Sequence, residues 1–255
     1  MKCVVVLPTY NEAPNIEQIL DAVRANGPEW HALVVDDNSP DGTGQLVGRL
    51  AGEEGSRVAV LHRTGKLGLG TAYREGLTRA LEGDYEYICT MDSDFSHDPA
   101  LLPRLRDLAE RHGAAHGSRY VAGGGTEDWG LVRKANSWIA NVLTRLMFKL
   151  KLRDCTSGFR CYRRDVLERI QPATLRERGY AVLEEMLYRC ARVGVTPAEH
   201  PILFRNRAAG ESKINLGESL RGLALLFRLQ CSGWKPEPAE TPTSNAKREA
   251  TDANL

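Results

Sequence analysis

Tyr87-Ile88-Cys89-Thr90-Met91-Asp92-Ser93-Asp94-Phe95-Ser96-His97 carries an apolar run straight into two carboxylates spaced i, i+2. The run reads as a buried strand, and in extended backbone side chains two apart point the same way. Two carboxylates facing together repel until a cation sits between them. Hard divalent ions accept such oxygens and keep positions for water or phosphate. The carboxyl end of a strand in an open α/β sheet is also where ligands bind. The stretch therefore reads as a metal–diphosphate site, against the plainer reading of Asp and Ser as turn residues.

The flanking sequence repeats this pattern. Cys3–Leu7 is a β-branched strand ending in Pro8, followed by a helical pattern through Ile16, Ile19, Leu20 and Val23 that Asn11 or Asn15 is placed to cap. Ala32–Val35 is a second strand, closed by Asp36-Asp37-Asn38-Ser39-Pro40-Asp41-Gly42, and Val58–Leu61 is a third. A helix through Ala72, Leu77 and Leu81 leads into Tyr87. Alternating strands and helices predict βαβ crossovers and a mostly parallel sheet flanked by helices, an α/β fold with its polar chemistry along one edge.

Beyond Pro99 the rhythm changes. Leu101–Arg111 reads as helix, Ala114–Arg119 as a short strand, and Val121–Gly130 as a mobile glycine-rich loop. Asn136–Leu152 reads as a helix carrying Trp138, Ile139, Val142, Leu143, Leu146, Met147, Phe148 and Leu150. That stripe is either core or a membrane-facing surface. Ser219–Leu229 reads as a shorter amphipathic helix, and the Pro- and Glu-rich sequence from Trp234 as disorder.

A net charge of +1 over 255 residues argues against a nucleic-acid binder. The six cysteines form no C-x-x-C pair and read as small core residues in a reducing compartment. Met1-Lys2-Cys3-Val4 enters a strand without room for a signal peptide. No run approaches the ~18 apolar residues of a membrane span. The expectation is a cytoplasmic protein.

Within the edge loops, Asp36 or Asp37 matches the paired N–H donors of a base such as guanine, or forms a turn. Tyr10, in Pro8-Thr9-Tyr10-Asn11-Glu12, offers a stacking face. The glycines of Gly65–Gly70 either let backbone approach a ligand or permit a tight turn. Arg119, Arg133, Lys134, Arg160, Arg205, Arg207 and Lys213 are candidates for a second phosphate site. Glu184 and Glu185 read as surface charges with a possible loop-holding role, and His97 as a metal ligand or as packing support.

Taken in order, Leu7–Glu12, Val34–Thr43, Gly68-Leu69-Gly70, Met91–His97, Gly117–Tyr120, Thr156–Arg160 and Gly210–Lys213 form a specific set. The chain resembles glycosyltransferase family 2, and within it the dolichol-phosphate (polyprenol-phosphate) mannosyltransferases. The resemblance implies a Rossmann-like glycosyltransferase A fold. It implies one catalytic domain over 1–232, a nucleotide-sugar half to about 120 and an acceptor half beyond it, before a disordered tail at 233–255. Pro8, Tyr10, Glu12, Val35 and Asp37 match the nucleoside contacts, and Asp92, Ser93 and Asp94 those to metal and diphosphate. Ser96 stands where some relatives have a ligating Gln. Arg119, Arg133, Ser137, Arg207 and Lys213 match the phosphate contacts. The resemblance further implies Mg²⁺ or Mn²⁺, inverting transfer of mannose from GDP-mannose to dolichyl or polyprenyl phosphate, and Asp94, Arg119 and Arg133 as the groups nearest the chemistry. The amphipathic helices, with or without a small membrane subunit, would hold it on the cytoplasmic face of a membrane. A different nucleotide sugar such as UDP-glucose, or a non-catalytic nucleotide-sugar-binding subunit, are the alternatives.

Overall fold

Alternation along one strand sets the two layers of the core. In β1 (Cys3–Thr9), Cys3, Val5 and Leu7 face one side and Val4 and Val6 the other, all of them buried. The computed structural model describes residues 1–205, 227, 228, 231 and 233–236. The first face packs on α1 (Ala13–Arg24), α2 (Thr43–Ala51) and α4 (Leu102–His112), through Ile16, Ile19, Leu20, Val23, Val47, Leu102 and Leu105. The second packs on α3 (Leu69–Glu82), α6 (Arg164–Ile170) and α7 (Val182–Arg192), through Tyr73, Leu77, Leu167, Ile170, Val182 and Met186. Each fully buried aliphatic side chain contributes about 1.5–3 kcal/mol.

The remaining strands are β2 (Trp30–Asp36), β3 (Val58–His62), β4 (Tyr87–Thr90), β5 (Ala114–Ser118), β6 (Gly125–Thr126), β7 (Arg160–Arg163), β8 (Ala198–Pro201) and β9 (Leu203–Phe204). The main sheet runs β3-β2-β1-β4-β7-β5-β8, and β6 pairs with β9 separately. All of its pairings are parallel except those of β7, which lies antiparallel between β4 and β5. The expected mixed, mostly parallel sheet is therefore present. The reversal has a plain cause. The chain leaves β5 at the carboxyl edge, makes its excursion through α5 (Leu131–Phe148), and re-enters the sheet from that same edge. Residues 119–159 are thereby delivered beside the loops that end β1, β2 and β4.

Several expectations need correction. Neither Asn11 nor Asn15 caps α1: the cap position is Glu12, without a side-chain cap bond. The loop after β2 serves instead, with Ser39 Oγ, Thr43 Oγ1 and Asp41 Oδ2 each accepting at 3.0 Å from the amides of Asn11, Glu12 and Ala13. Glu185 is no surface charge. It is fully buried, pairs with Arg189 at 2.7 Å and accepts from the amides of Arg176 and Glu177. Val121–Gly130 holds β6 and a buried Trp129, so it is pinned rather than loose.

The helix expected at Asn136–Leu152 runs Leu131–Phe148, started by an extended Gly130 and stopped by Lys149 at φ 53°. It is also inside out. Its buried residues are Asn141 and Thr144, whereas Leu131, Val132, Trp138, Ile139 and Leu146 are exposed. No helix among the described residues is long and apolar enough to cross a membrane. Five of the six cysteines are buried thiols, and Cys231 is exposed. In the tail, Trp234 is buried with Arg189 4.7 Å from its ring, and 237–255 lie outside the described residues.

Candidate active site

The two aspartates that close β2 do different work. Asp36 is structural: Oδ1 accepts from Ser39 Oγ at 2.5 Å and from Thr9 Oγ1 at 3.2 Å, and Oδ2 from the Ser39 amide. Asp37 instead pairs with the buried Arg63, which also reaches Thr71 and, at 3.2 Å, Glu75. Burial raises the Asp37 pKa against the opposing charge of Arg63. Pro8 lies beside Val35 in the parallel register. The Val35 side chain packs toward α3, close to Gly76, so its backbone is what the edge presents. Tyr10 has Lys66 Nζ 4.4 Å from its ring centroid, and Glu12 accepts from Asn15 at 3.1 Å. Gly68 and Gly70 are required by a neighbour within the fold. Gly68 has φ 100°, and a Cβ on either residue would strike the carbonyls of Glu177 or Arg178. The Gly70 amide donates to Arg178 O at 2.8 Å.

The acidic pair sits just past its strand. β4 ends at Thr90, and the chain bends through Met91–His97 with Phe95 at φ 59°, so extended alternation does not orient the two carboxylates. The bend is fixed by short bonds: Ser93 Oγ donates to Pro8 O, the Ser96 amide to Asp94 Oδ1 at 3.0 Å, and the Asp92 amide to His97 Nδ1 at 3.3 Å. Asp94 is buried, whereas the Asp92 side chain is 35% exposed. His97 is a packing and positioning group. Its ring stacks on Phe159 at 5.1 Å, and burial lowers its pKa, which favours the neutral form that accepts at Nδ1.

The residues present suit a divalent ion. Ser96 Oγ is buried without a hydrogen-bond partner among the described residues, beside a carboxylate pair one member of which is open. A Cβ on Gly158 would come within 3.5 Å of Asp92 Oδ1, so glycine keeps that space clear. No group of three or more His, Cys, Asp or Glu side chains gathers there among the described residues. An ion at this place would draw its other oxygens from a ligand.

Beyond Gly158 the site turns cationic. Arg119 forms a bidentate pair with Asp154, Nε–Oδ2 2.8 Å and Nη2–Oδ1 2.7 Å, and its amide donates to the same carboxylate. Burial alone would raise the Asp154 pKa, but the Arg119 charge and hydrogen bonds outweigh it and hold the pKa at about 2. Arg119 Nη2 also reaches Thr156 Oγ1. Arg133 lies 4.0 Å from the Trp129 ring, and Tyr120 OH donates to Ser137 Oγ at 2.8 Å. Phe204 joins the two regions: its ring centroid is 5.3 Å from His97 and 5.4 Å from Trp129, with Arg119 and Arg133 at 5.6 and 5.8 Å.

The structure therefore gathers Pro8, Tyr10, Glu12, Val35 and Asp37 around the loops of β1 and β2, Asp92–Ser96 at the end of β4, and Arg119, Arg133 and Ser137 beside them. Arg207, Lys213 and most of Ser219–Leu229 lie outside the described residues. Arg160 does not join the cationic face. Its guanidinium is buried and donates to the carbonyls of Cys155, Ser157 and Leu183, bracing the 155–158 loop from beneath. Arg63, Trp129, Asp154, Thr156 and Phe204 were not singled out as site residues in the sequence. Only Thr156 lay within a motif that signalled it.

Comparison with known proteins bears on the fold and the family. The description "Glycosyl transferase family 2" matches residues 4–171. An undecaprenyl-phosphate mannosyltransferase of Micrococcus luteus is 42% identical over 217 residues, 85% of this chain and 89% of that protein. A polyprenol monophosphomannose synthase of Mycolicibacterium smegmatis is 41% identical over 222 residues, 86% of this chain and 83% of that one. Among solved structures, glucosyl-3-phosphoglycerate synthase from Mycobacterium tuberculosis with Mn²⁺, UDP and glucosyl-3-phosphoglycerate superposes with a TM-score of 0.65 at 19% identity, over 92% of this chain and 81% of that one. The same enzyme with Mg²⁺ and UDP gives 0.63 at 20% identity, over 92% and 80%. At such identities the likeness establishes the fold.

Proposed function

The chain belongs to glycosyl transferase family 2, and from that premise we propose that it transfers mannose from GDP-mannose to the phosphate of a polyprenyl or dolichyl phosphate, with inversion. The observation that carries this reading is the meeting of an acidic loop and a fixed guanidinium pair on one ring, Phe204. Such a site holds two phosphate-bearing molecules side by side. The mannosyltransferase relatives add the sugar and the lipid.

The chain's residues divide the work. Asp37, paired with Arg63, accepts from the base, and Tyr10 stacks beside it. Asp92, Asp94 and Ser96 would hold Mg²⁺ or Mn²⁺, which supplies charge to stabilise the departing diphosphate. Arg119, locked by Asp154, and Arg133, laid on Trp129, bind the acceptor phosphate and aim its oxygen at the anomeric carbon. That oxygen forms the new bond to the anomeric carbon as the bond to GDP breaks. A phosphate monoester has its second pKa near ~6 and is already the nucleophile at neutral pH, so no protein base is required. The exposed Leu131, Val132, Trp138, Ile139 and Leu146 of α5 would rest on the bilayer that supplies the lipid, making the enzyme peripheral to the membrane.

Radiolabelled GDP-mannose incubated with Mn²⁺ and farnesyl phosphate should deliver label into the organic phase. Label that stays aqueous with every prenyl phosphate, or thermal stabilisation by UDP and not GDP, overturns the assignment.

A further inference from the structure

Trp129 lies in the glycine-rich stretch that reads as an ordinary loop, yet it is 8% exposed. Two guanidinium groups lie on this one indole, Arg133 at 4.0 Å and Arg119 at 5.2 Å from the ring centroid. Phe204 meets it edge-on at 5.4 Å and 76°. Its Nε1–H is buried and finds no acceptor among the described residues. A buried indole donor left unpaired is destabilising, so its place beside two cations calls for an anionic acceptor. Cation–π attraction also eases the approach of two like charges, each steadied by the shared ring.

We propose that Trp129 is a binding residue for the acceptor phosphate: its indole sets the spacing of Arg119 and Arg133, and its N–H donates to the phosphate oxygen they hold. This rests on the acceptor reading given above. It adds a neutral, directional donor to a site whose other phosphate-binding side chains, Ser137 apart, are charged. It also explains why the 121–130 segment is pinned: the β6–β9 pairing and the Arg119 and Phe204 contacts bring Trp129 inward.

Calorimetric titration of the full chain, loaded with GDP and Mn²⁺, with farnesyl phosphate, farnesol and inorganic phosphate tests the idea. Trp129→Phe keeps an aromatic face and deletes the N–H. It should weaken farnesyl phosphate about tenfold or more, as loss of a hydrogen bond to a charged group does. Inorganic phosphate should weaken likewise, with farnesol and GDP unaffected. Trp129→Leu removes the ring as well and should weaken both phosphates further, with GDP affinity again reporting an intact fold. Unchanged farnesyl phosphate binding by Trp129→Phe overturns the proposal. So does an equal loss for farnesol, which would make Trp129 a wall for the prenyl chain. Wild-type protein that ignores farnesyl phosphate while binding GDP would sink the acceptor reading itself, and this inference with it.

Discussion

The acidic loop after β4 and the guanidinium cluster around the start of α5 are neighbours built by different means. The loop is tied chiefly by bonds within itself, Asp94 to the Ser96 amide and His97 to the Asp92 amide, with Ser93 reaching across to Pro8 of β1. It uses a few residues and one left-handed Phe95. The cluster depends mainly on side chains distant in sequence, Arg119 on Asp154 and Phe204 closing the group, with Arg133 on Trp129 its one local contact among these. Local bonding makes a short signature such as Met91–His97 sufficient, whereas distributed packing leaves partners such as Asp154 and Phe204 unmarked. In the proposed function the same contrast divides their chemistry: the loop would offer oxygens to a cation and the cluster donors to an anion.

The sharpest way to break this contrast is Asp94→Asn. It preserves an acceptor for the Ser96 amide while halving the charge of the pair. Transfer rate should fall roughly 10²–10³-fold with the circular dichroism spectrum unchanged; a rate within threefold of wild type would mean the loop is only scaffolding.

On the other side, Asp154→Asn leaves the Arg119 guanidinium buried without its countercharge. Urea unfolding should show a loss of about 3–5 kcal/mol. A pH series separates charge from shape. The folded Asp154 pKa, about 2, lies below its ordinary 3.8, so its stabilisation is complete above about pH 4 and disappears as pH falls through about 2. Wild type should therefore shed about 2 kcal/mol over that window, and the Asn variant should lack this dependence.

A smaller effect is expected on the face that continues the cluster outward. Replacing both Trp138 and Leu146 by Glu puts charge on exposed apolar positions of α5 and should weaken sedimentation with anionic lipid vesicles about tenfold. Equal sedimentation would remove the bilayer from the account of α5. The least change is expected for Ser96→Ala, which deletes a buried hydroxyl without a partner among the described residues. Stability should be unaltered, and the Mn²⁺ concentration giving half-maximal rate should rise by about threefold or less, because the two carboxylates carry most of the charge.

Legibility followed the same division. Continuous apolar runs identified β1, β2 and β4 because a buried parallel strand needs apolar side chains on both faces, and the polar residues after them marked the edge. The helix at α5 was legible as a helix, but its orientation was not. Periodicity gives an apolar stripe, and only the fold shows Asn141 and Thr144 inward. There Asn141 Oδ1 accepts the Cys155 amide at 2.5 Å. Glu185 takes the loop-holding role, not the surface one: adjacent glutamates look solvated until a buried arginine and two loop amides meet one of them. The Gly68 and Gly70 constraint was invisible as well, because the backbone that requires it arrives from residues 177 and 178.

Sequence by itself determined the mostly parallel sheet, the polar residues gathered along its carboxyl edge, and the family to which the chain belongs. Those features depend on residue periodicity and on side chains close together in the chain. Only the tertiary structure decided that β7 runs against its neighbours, and that Asp36 is structural while Asp37 meets Arg63. It alone brought Trp129, Asp154 and Phe204 to one site. The reason is physical: a buried charge or donor is satisfied by whatever the fold brings to it, and nothing local to Arg119 in the chain specifies Asp154 as its partner.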